Sequence, residues 1–302
     1  MKFQGVLFFP VTPFGADGSL DEARLAQHIE AGVAAGAGGV FVACGTGEFH
    51  ALTSDEIERA TRIAVETTAG RVPVLAAAGG PPPVARDQAG RVARAGADGI
   101  LLLPPYLVTA PQQGLVRYVE EVTAATDLPV IFYQRGTARL TETTAAEIAA
   151  LPKVVGLKDG LGDIERMHRI VRAVRAVPGG ADFQFFNGLP TAEMTAPAYQ
   201  GIGVDLYSSA VFAFAPEIAL AFHQALARDD RDLVTTLLDE FYGPLVELRD
   251  EVPGYAVALV KAGVTLRGLD VGGVRAPLVD PTPEHVARLA KLIDHALEAV
   301  RA

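Results

Sequence analysis

The chain predicts a (β/α)8, or TIM, barrel of the α/β class followed by a C-terminal helical extension. Three observations carry that reading: short strands apolar on both faces, strict alternation of those strands with amphipathic helices, and about eight such pairs before the strand pattern stops near residue 215. Strands without a polar face belong to a parallel sheet covered by helices. A count of eight suits a closed barrel better than an open sheet. No Gly-x-Gly-x-x-Gly follows any strand, which argues against a dinucleotide-binding fold. The predicted organisation is a barrel over 1–225 and a helical extension over 226–302 packed on it.

The elements follow in order. Residues 6–11 read as the first strand, closed by Thr12-Pro13 and a Gly-Ala-Asp-Gly turn. Ser19 or Asp21 can cap the first helix, in which Leu25, Ile29 and Val33 recur at helical spacing. A second strand over 39–43 leads into Gly45-Thr46-Gly47-Glu48, and Thr53-Ser54-Asp55-Glu56 has the form of a capping box. Strands at 72–76, 99–103, 129–133 and 154–158 then alternate with helices at 83–95, 111–125, 141–150 and 162–176. Residues 183–186 and 203–206 complete the set, with a helical segment at 192–199 between them. Helices at 218–227, 233–248, 255–266 and 284–300 form the tail.

With 302 residues, half of them hydrophobic, the chain can bury a large core. The formal charge of −10 and the lack of any basic run argue against nucleic acid or an anionic membrane as partner. No stretch is apolar for long enough to span a bilayer, and the N-terminus has no signal-peptide character. A single cysteine, Cys44, excludes an internal disulfide and fits a reducing cytoplasm. The six histidines show no metal-ligand spacing, so no metal site is expected.

In such barrels the active site lies at the C-terminal ends of the strands. Lys158 ends the sixth strand, and only five of the 26 basic residues are lysine. Desolvation lowers a lysine pKa and yields a neutral amine able to attack a ketone, whereas arginine stays charged. A strand-end lysine can also snorkel to solvent, and sequence alone leaves both readings open. Tyr133 ends the fifth strand as a candidate proton shuttle, or as a core tyrosine. Gly45, Thr46 and Gly47 can present N–H groups and a hydroxyl to a carboxylate, or simply form a tight turn. Arg135 and Arg139 are candidate carboxylate clamps. Asn187, Ser208 and Ser209 stand near the ends of strands seven and eight.

Gly45-Thr46-Gly47-Glu48, Tyr133 and Gly156-Leu157-Lys158-Asp159, in that order on strands two, five and six, resemble the class I Schiff-base lyases of the dihydrodipicolinate synthase and N-acetylneuraminate lyase superfamily. The resemblance covers essentially the whole chain, including Pro253-Gly254-Tyr255, Val260-Lys261-Ala262-Gly263 and Gly272-Gly273-Val274-Arg275-Ala276-Pro277-Leu278 in the tail. Tyr133-Gln134-Arg135 and Tyr207-Ser208-Ser209-Ala210-Val211-Phe212 are most similar to the branch of 5-dehydro-4-deoxyglucarate dehydratases. Three departures set the chain apart from the synthases. The usual Gly-Thr-Thr-Gly-Glu lacks one threonine, the tandem tyrosines after strand four are Tyr106-Leu107, and the arginine expected five residues after Tyr133 is Ala138.

The resemblance implies a decarboxylating dehydration of a keto sugar diacid through an imine on Lys158. It assigns proton transfer to Tyr133, with Ser208 a further catalytic candidate. Gly45, Thr46 and Gly47 would bind the carboxylate next to the ketone, and Arg135, Asn187 and Ser209 the remainder of the substrate. It also implies a cytoplasmic homo-oligomer, a tetramer or a dimer, that needs neither metal nor organic cofactor. An aldolase or lyase acting on a 2-keto-3-deoxy sugar acid, and a non-catalytic sugar-acid-binding barrel, remain as alternatives.

Overall fold

The computed structural model describes residues 1–301. Its eight strands are Leu7–Phe8 (β1), Gly39–Val42 (β2), Val74–Ala78 (β3), Gly99–Leu102 (β4), Val130–Gln134 (β5), Val154–Asp159 (β6), Gln184–Asn187 (β7) and Leu206–Ser209 (β8). They pair in parallel in chain order, and β1 pairs with β8 to close the barrel. The covering helices are Glu22–Ala34 (α1), Ser54–Thr68 (α2), Pro82–Arg94 (α3), Gln112–Ala124 (α4), Glu142–Ala149 (α5), Ile164–Arg175 (α6), Ala196–Gln200 (α7) and Pro216–Ala227 (α8). Asp21 caps α1 by accepting the Arg24 N–H, and Thr53 with Glu56 closes the expected capping box on α2.

Alternation along each strand divides the apolar residues into two cores. Phe8, Val40, Val42, Ala76, Ile100, Phe132, Leu157 and Tyr207 face the helices. Leu7, Phe9, Phe41, Leu75, Leu101, Ile131, Tyr133 and Phe186 fill the barrel interior. Phe3 plugs the floor, its ring 5.4 Å from Phe41 and 5.8 Å from Phe186, with its backbone N–H donated to Gln184. The barrel interior is therefore apolar, with four phenylalanines at its centre: Phe3, Phe9, Phe41 and Phe186.

The extension consists of Arg231–Leu237 (α9), Gly243–Asp250 (α10), Tyr255–Leu266 (α11) and Pro283–Ala299 (α12). The single helix expected over 233–248 is interrupted by a wider π-type turn at Leu238–Tyr242. Pro244 has no N–H to return to the preceding turn, and the wider turn absorbs that missing bond. One continuous apolar cluster runs through the outer barrel and the extension, so no solvent gap divides them. Among the described residues no helix is long and apolar enough to cross a membrane.

Two strands differ from expectation in ways that matter for the site. The eighth spans Leu206–Ser209 rather than 203–206, because 201–203 still turn out of α7 with Gly203 at φ +80°. The seventh extends through Asn187. Ser208, Ser209 and Asn187 therefore lie within strands, where alternation decides which way each points.

Candidate active site

Register places Lys158 of β6 level with Tyr133 of β5 on one side and Phe186 of β7 on the other. Leu157 belongs to the outer core, so Lys158 points inward, and it is only 6% exposed. Its Nζ lies 4.1 Å from the ring centre of Phe9 and 4.5 Å from that of Tyr133. Burial lowers its pKa from 10.5 to about 7, and the charge of Arg135 acts in the same direction. The Cys44 thiol is also inside the barrel; burial pushes it up to about 12, so it stays neutral and supplies no counter-charge at neutral pH. A substantial fraction of Lys158 is thus a free amine near pH 7.

The Tyr133 hydroxyl donates to the Gly188 carbonyl at 2.6 Å, while Arg135 Nη1 donates to that hydroxyl at 3.3 Å. Burial is the main influence on the phenol and keeps its pKa above the ordinary value, so it is present as the protonated acid. Two glycines make room for this pair. A Cβ on Gly188 would lie 2.5 Å from Lys158 Cε and 2.9 Å from Tyr133 Cε2, and one on Gly160 would lie 2.8 Å from Tyr133 Cε2. Asp159, buried beside the lysine, accepts from Gln134 at 2.8 Å and from the Tyr199 hydroxyl. Its backbone carbonyl accepts the Gly188 N–H at 2.7 Å, which fixes the β7 end against β6.

The turn after β2 forms the next wall. Ala43 and Glu48 bracket it in the left-handed region, at φ 54° and 58°, a conformation that costs a non-glycine residue energy and persists only where surroundings enforce it. The Glu48 N–H bonds the Gly45 carbonyl at 3.2 Å, and the Thr12 hydroxyl donates to the Gly47 carbonyl at 2.6 Å. Backbone packs too closely for a side chain at Gly47, where a Cβ would lie 3.1 Å from Ala43 Cα and 3.2 Å from the Pro10 carbonyl oxygen. A Cβ on Gly45 would stand 4.0 Å from Arg135 Nη1, so the guanidinium reaches from Tyr133 towards the turn. Lys158, Tyr133, Arg135 and the Gly45–Gly47 turn are thereby brought together at one end of the barrel.

The other three candidates divide by strand parity. Ser208 alternates with outward-facing Tyr207 and so faces inward, half-buried, with only a long 3.5 Å contact to the Asn187 carbonyl. Ser209 faces outward instead. Its hydroxyl donates to Glu193 at 2.5 Å and accepts the Phe212 N–H at 3.1 Å, beneath a fully covered surface. Asn187 is equally committed: its amide donates to the Ala192 carbonyl and the Thr195 hydroxyl, and its oxygen accepts the Leu189 N–H. The expectation that Ser209 and Asn187 bind substrate is therefore corrected, because both side chains hold loops together behind the strands. Glu193, pushed up to about 7 by burial, belongs to the same structural layer.

Sequence reasoning missed Phe9, which backs the lysine, and Gly188, which admits the Lys158 and Tyr133 side chains. Alternation from Leu7 points to Phe9 as an interior residue, whereas nothing local marks Gly188. Among the described residues no three His, Cys, Asp or Glu side chains are grouped as a metal site.

The arrangement has counterparts among known proteins. A protein of Streptomyces griseus subsp. griseus named probable 5-dehydro-4-deoxyglucarate dehydratase is 58% identical over 289 residues, covering 96% of this chain and 90% of the relative. A protein of the same name from Pseudomonas savastanoi pv. phaseolicola is 45% identical over 291 residues, covering 96% and 94%. The crystal structure of dihydrodipicolinate synthase from Oceanobacillus iheyensis superposes with a TM-score of 0.89 at 26% identity, over 98% of this chain and 97% of that one. The sequence profile of the Dihydrodipicolinate synthetase family matches residues 2–296, a span that takes in all eight strands and most of the extension. With the barrel, most of its helical tail and the buried lysine on the sixth strand inside that match, the chain belongs to the dihydrodipicolinate synthetase family.

Proposed function

We propose that the chain is a lysine-dependent dehydratase that converts 5-dehydro-4-deoxy-D-glucarate to 2,5-dioxopentanoate, water and carbon dioxide. The observation that carries the chemistry is Lys158, a buried inward-facing amine with a pKa of about 7, in contact with the ring of a protonated tyrosine. The names of the similar Streptomyces and Pseudomonas proteins support this substrate over others of the same reaction type.

In this reading Lys158 attacks the C5 ketone and water leaves as the imine forms, with Tyr133 handing protons between nitrogen and oxygen. The N–H groups of the Gly45–Gly47 turn and the Thr46 hydroxyl hold the adjacent C6 carboxylate. Loss of a C4 proton into the iminium gives an enamine, which expels the C3 hydroxyl as water and leaves a C3=C4 alkene conjugated with the iminium. The C1–C2 bond then breaks. Its electrons pass through that alkene to nitrogen, carbon dioxide departs, and C2 becomes an enol. Protonation at C3 and C4 and hydrolysis of the imine, which consumes the water released at the start, give the keto aldehyde and free Lys158. Arg135 is proposed as the donor to the distal C1 carboxylate, and Ser208 as a participant in proton transfer.

Product analysis on the diacid tests the reaction: one carbon dioxide per 2,5-dioxopentanoate is expected, whereas release of pyruvate would indicate an aldolase. For Arg135→Ala we expect diacid turnover to fall about 10- to 100-fold, the value of a charge-assisted carboxylate contact. Borohydride trapping with pyruvate, which has no distal carboxylate, should change little, because Tyr133 keeps its bond to Gly188. Equal loss of both activities would remove Arg135 from the specificity role.

We also propose a homo-oligomer. Tyr106, Leu107 and Val108, in the loop between β4 and α4, are 70%, 80% and 56% exposed, an apolar run suited to burial against a second copy. Light scattering that finds a monomer at micromolar concentration would contradict this.

A further inference from the structure

Glu48 follows the carboxylate-binding turn and is fully buried, and what it meets there comes from the far end of the chain. Lys261 of α11, 1% exposed, brings its Nζ to 2.8 Å from Glu48 Oε1 and donates to the Gly273 carbonyl at 2.6 Å. The backbone N–H of Arg275 donates to Glu48 Oε2 at 2.9 Å. Both cationic side chains lie against one aromatic ring: Lys261 Nζ is 4.1 Å and the Arg275 guanidinium 4.0 Å from the Phe14 ring centre. Arg275 also bonds Glu56, the Ala51 carbonyl and the Gly18 carbonyl, which ties the segment between α11 and α12 to α2 and to the loops after β1 and β2. The Phe14 N–H bonds the Val271 carbonyl at 3.0 Å, and at Gly272 a Cβ would fall 2.2 Å from the Phe14 carbonyl oxygen.

A buried charge pair of this kind is a poor source of net stability, since desolvation offsets most of the attraction, and it matters chiefly for the geometry it imposes. The geometry in question is the left-handed Glu48 that closes the Gly45–Gly47 turn. From this convergence we infer that Glu48 and Lys261 are positioning residues for substrate: the C-terminal extension, through this ion pair, holds the turn in the shape that binds the carboxylate beside the reacting ketone. The inference rests on the imine reading proposed above and adds to it a role for the tail.

The test compares two ketones that differ at that carboxylate. Borohydride trapping of Lys158 is titrated with pyruvate and with hydroxyacetone, in wild type, Lys261→Met, Glu48→Gln and the double variant. Misplaced donors should raise the half-saturating pyruvate concentration in each single variant by about tenfold, with hydroxyacetone staying within about twofold of wild type. The double variant leaves no buried unpaired charge and keeps an oxygen for the Arg275 N–H, so it remains folded even if a single variant does not. Its half-saturating pyruvate concentration should lie between wild type and the single variants. Equal shifts for both ketones in the double variant, or no shift for either, would overturn the inference and leave the pair as part of the fold alone. Wild-type protein trapped by neither ketone would instead overturn the imine reading and this inference with it.

Discussion

Between pH 7 and 10.5 the unfolded chain holds a proton on Lys158 that the folded chain has largely released. The unfolded state therefore binds more protons in that window, and stability rises with pH across it. The penalty is full below about pH 7 and gone above 10.5, and at pH 8 it amounts to about 3 kcal/mol. Lys158→Met removes the titrating group and keeps the volume, so it should be more stable than wild type at pH 8 by roughly that amount, with the two converging above pH 10.5. Chemical denaturation at several pH values measures this; parallel curves would mean that the lysine is solvated. The same pKa predicts that imine trapping accelerates with pH up to about 7 and then levels. Gly188 supplies the second test at this scale. Adding one methyl forces Lys158 Cε and Tyr133 aside, since the added carbon would lie only 2.5 Å and 2.9 Å from their atoms. Gly188→Ala should lower kcat about a hundredfold, the effect of ångström-scale misplacement, with a cooperative unfolding transition retained. Unchanged turnover would show that the pair tolerates the displacement. Lys158 was legible because a lone lysine ending an apolar strand is a local anomaly. Gly188 was not, because its requirement comes from side chains 30 and 55 residues away in sequence.

At the level of elements, most of the barrel was readable because its signals are local: the capping box at Thr53, the apolar strands and their alternation with amphipathic helices. The ends of β7 and β8 were not. An odd-numbered error in where a strand begins, one residue for β7 and three for β8, leaves the strand count intact but inverts inside and outside for a given side chain. Ser208 and Ser209, adjacent in sequence, thus end up on opposite faces. Each therefore has its own expected defect. Ser208→Ala should slow the chemical step of diacid turnover while leaving stability near wild type. Ser209→Ala leaves Glu193 Oε1 and the Phe212 N–H without their partner, and should cost about 1–3 kcal/mol of stability with kcat retained. Denaturant melts and single-turnover kinetics on both variants separate the cases, and reversed phenotypes would mean that the parity of β8 is wrong.

For the molecule as a whole, the expected division at 226 falls inside α8, well after the last strand ends at Ser209, and it does not follow that the two parts fold separately. Tyr207 of β8 packs at 6.4 Å against Phe222 of α8, which in turn packs at 5.1 Å against Tyr242 in the π-type turn of the extension. Removing the extension would expose this outer face of the barrel. It would also strip Lys261 from a fully buried Glu48, a loss worth roughly 3–5 kcal/mol for a broken buried pair. Those losses together approach the entire stability of an ordinary domain. We propose that the chain is one cooperative unit in which the extension completes both the core and the substrate-binding turn. Scanning calorimetry of the full chain should then show a single transition whose calorimetric and van't Hoff enthalpies agree. A chain ended after Ala227, with α8 intact, should be insoluble or unfold without a transition. A soluble truncated chain with its own sharp transition would establish the barrel as an autonomous domain, and it would leave Glu48 needing a partner other than Lys261.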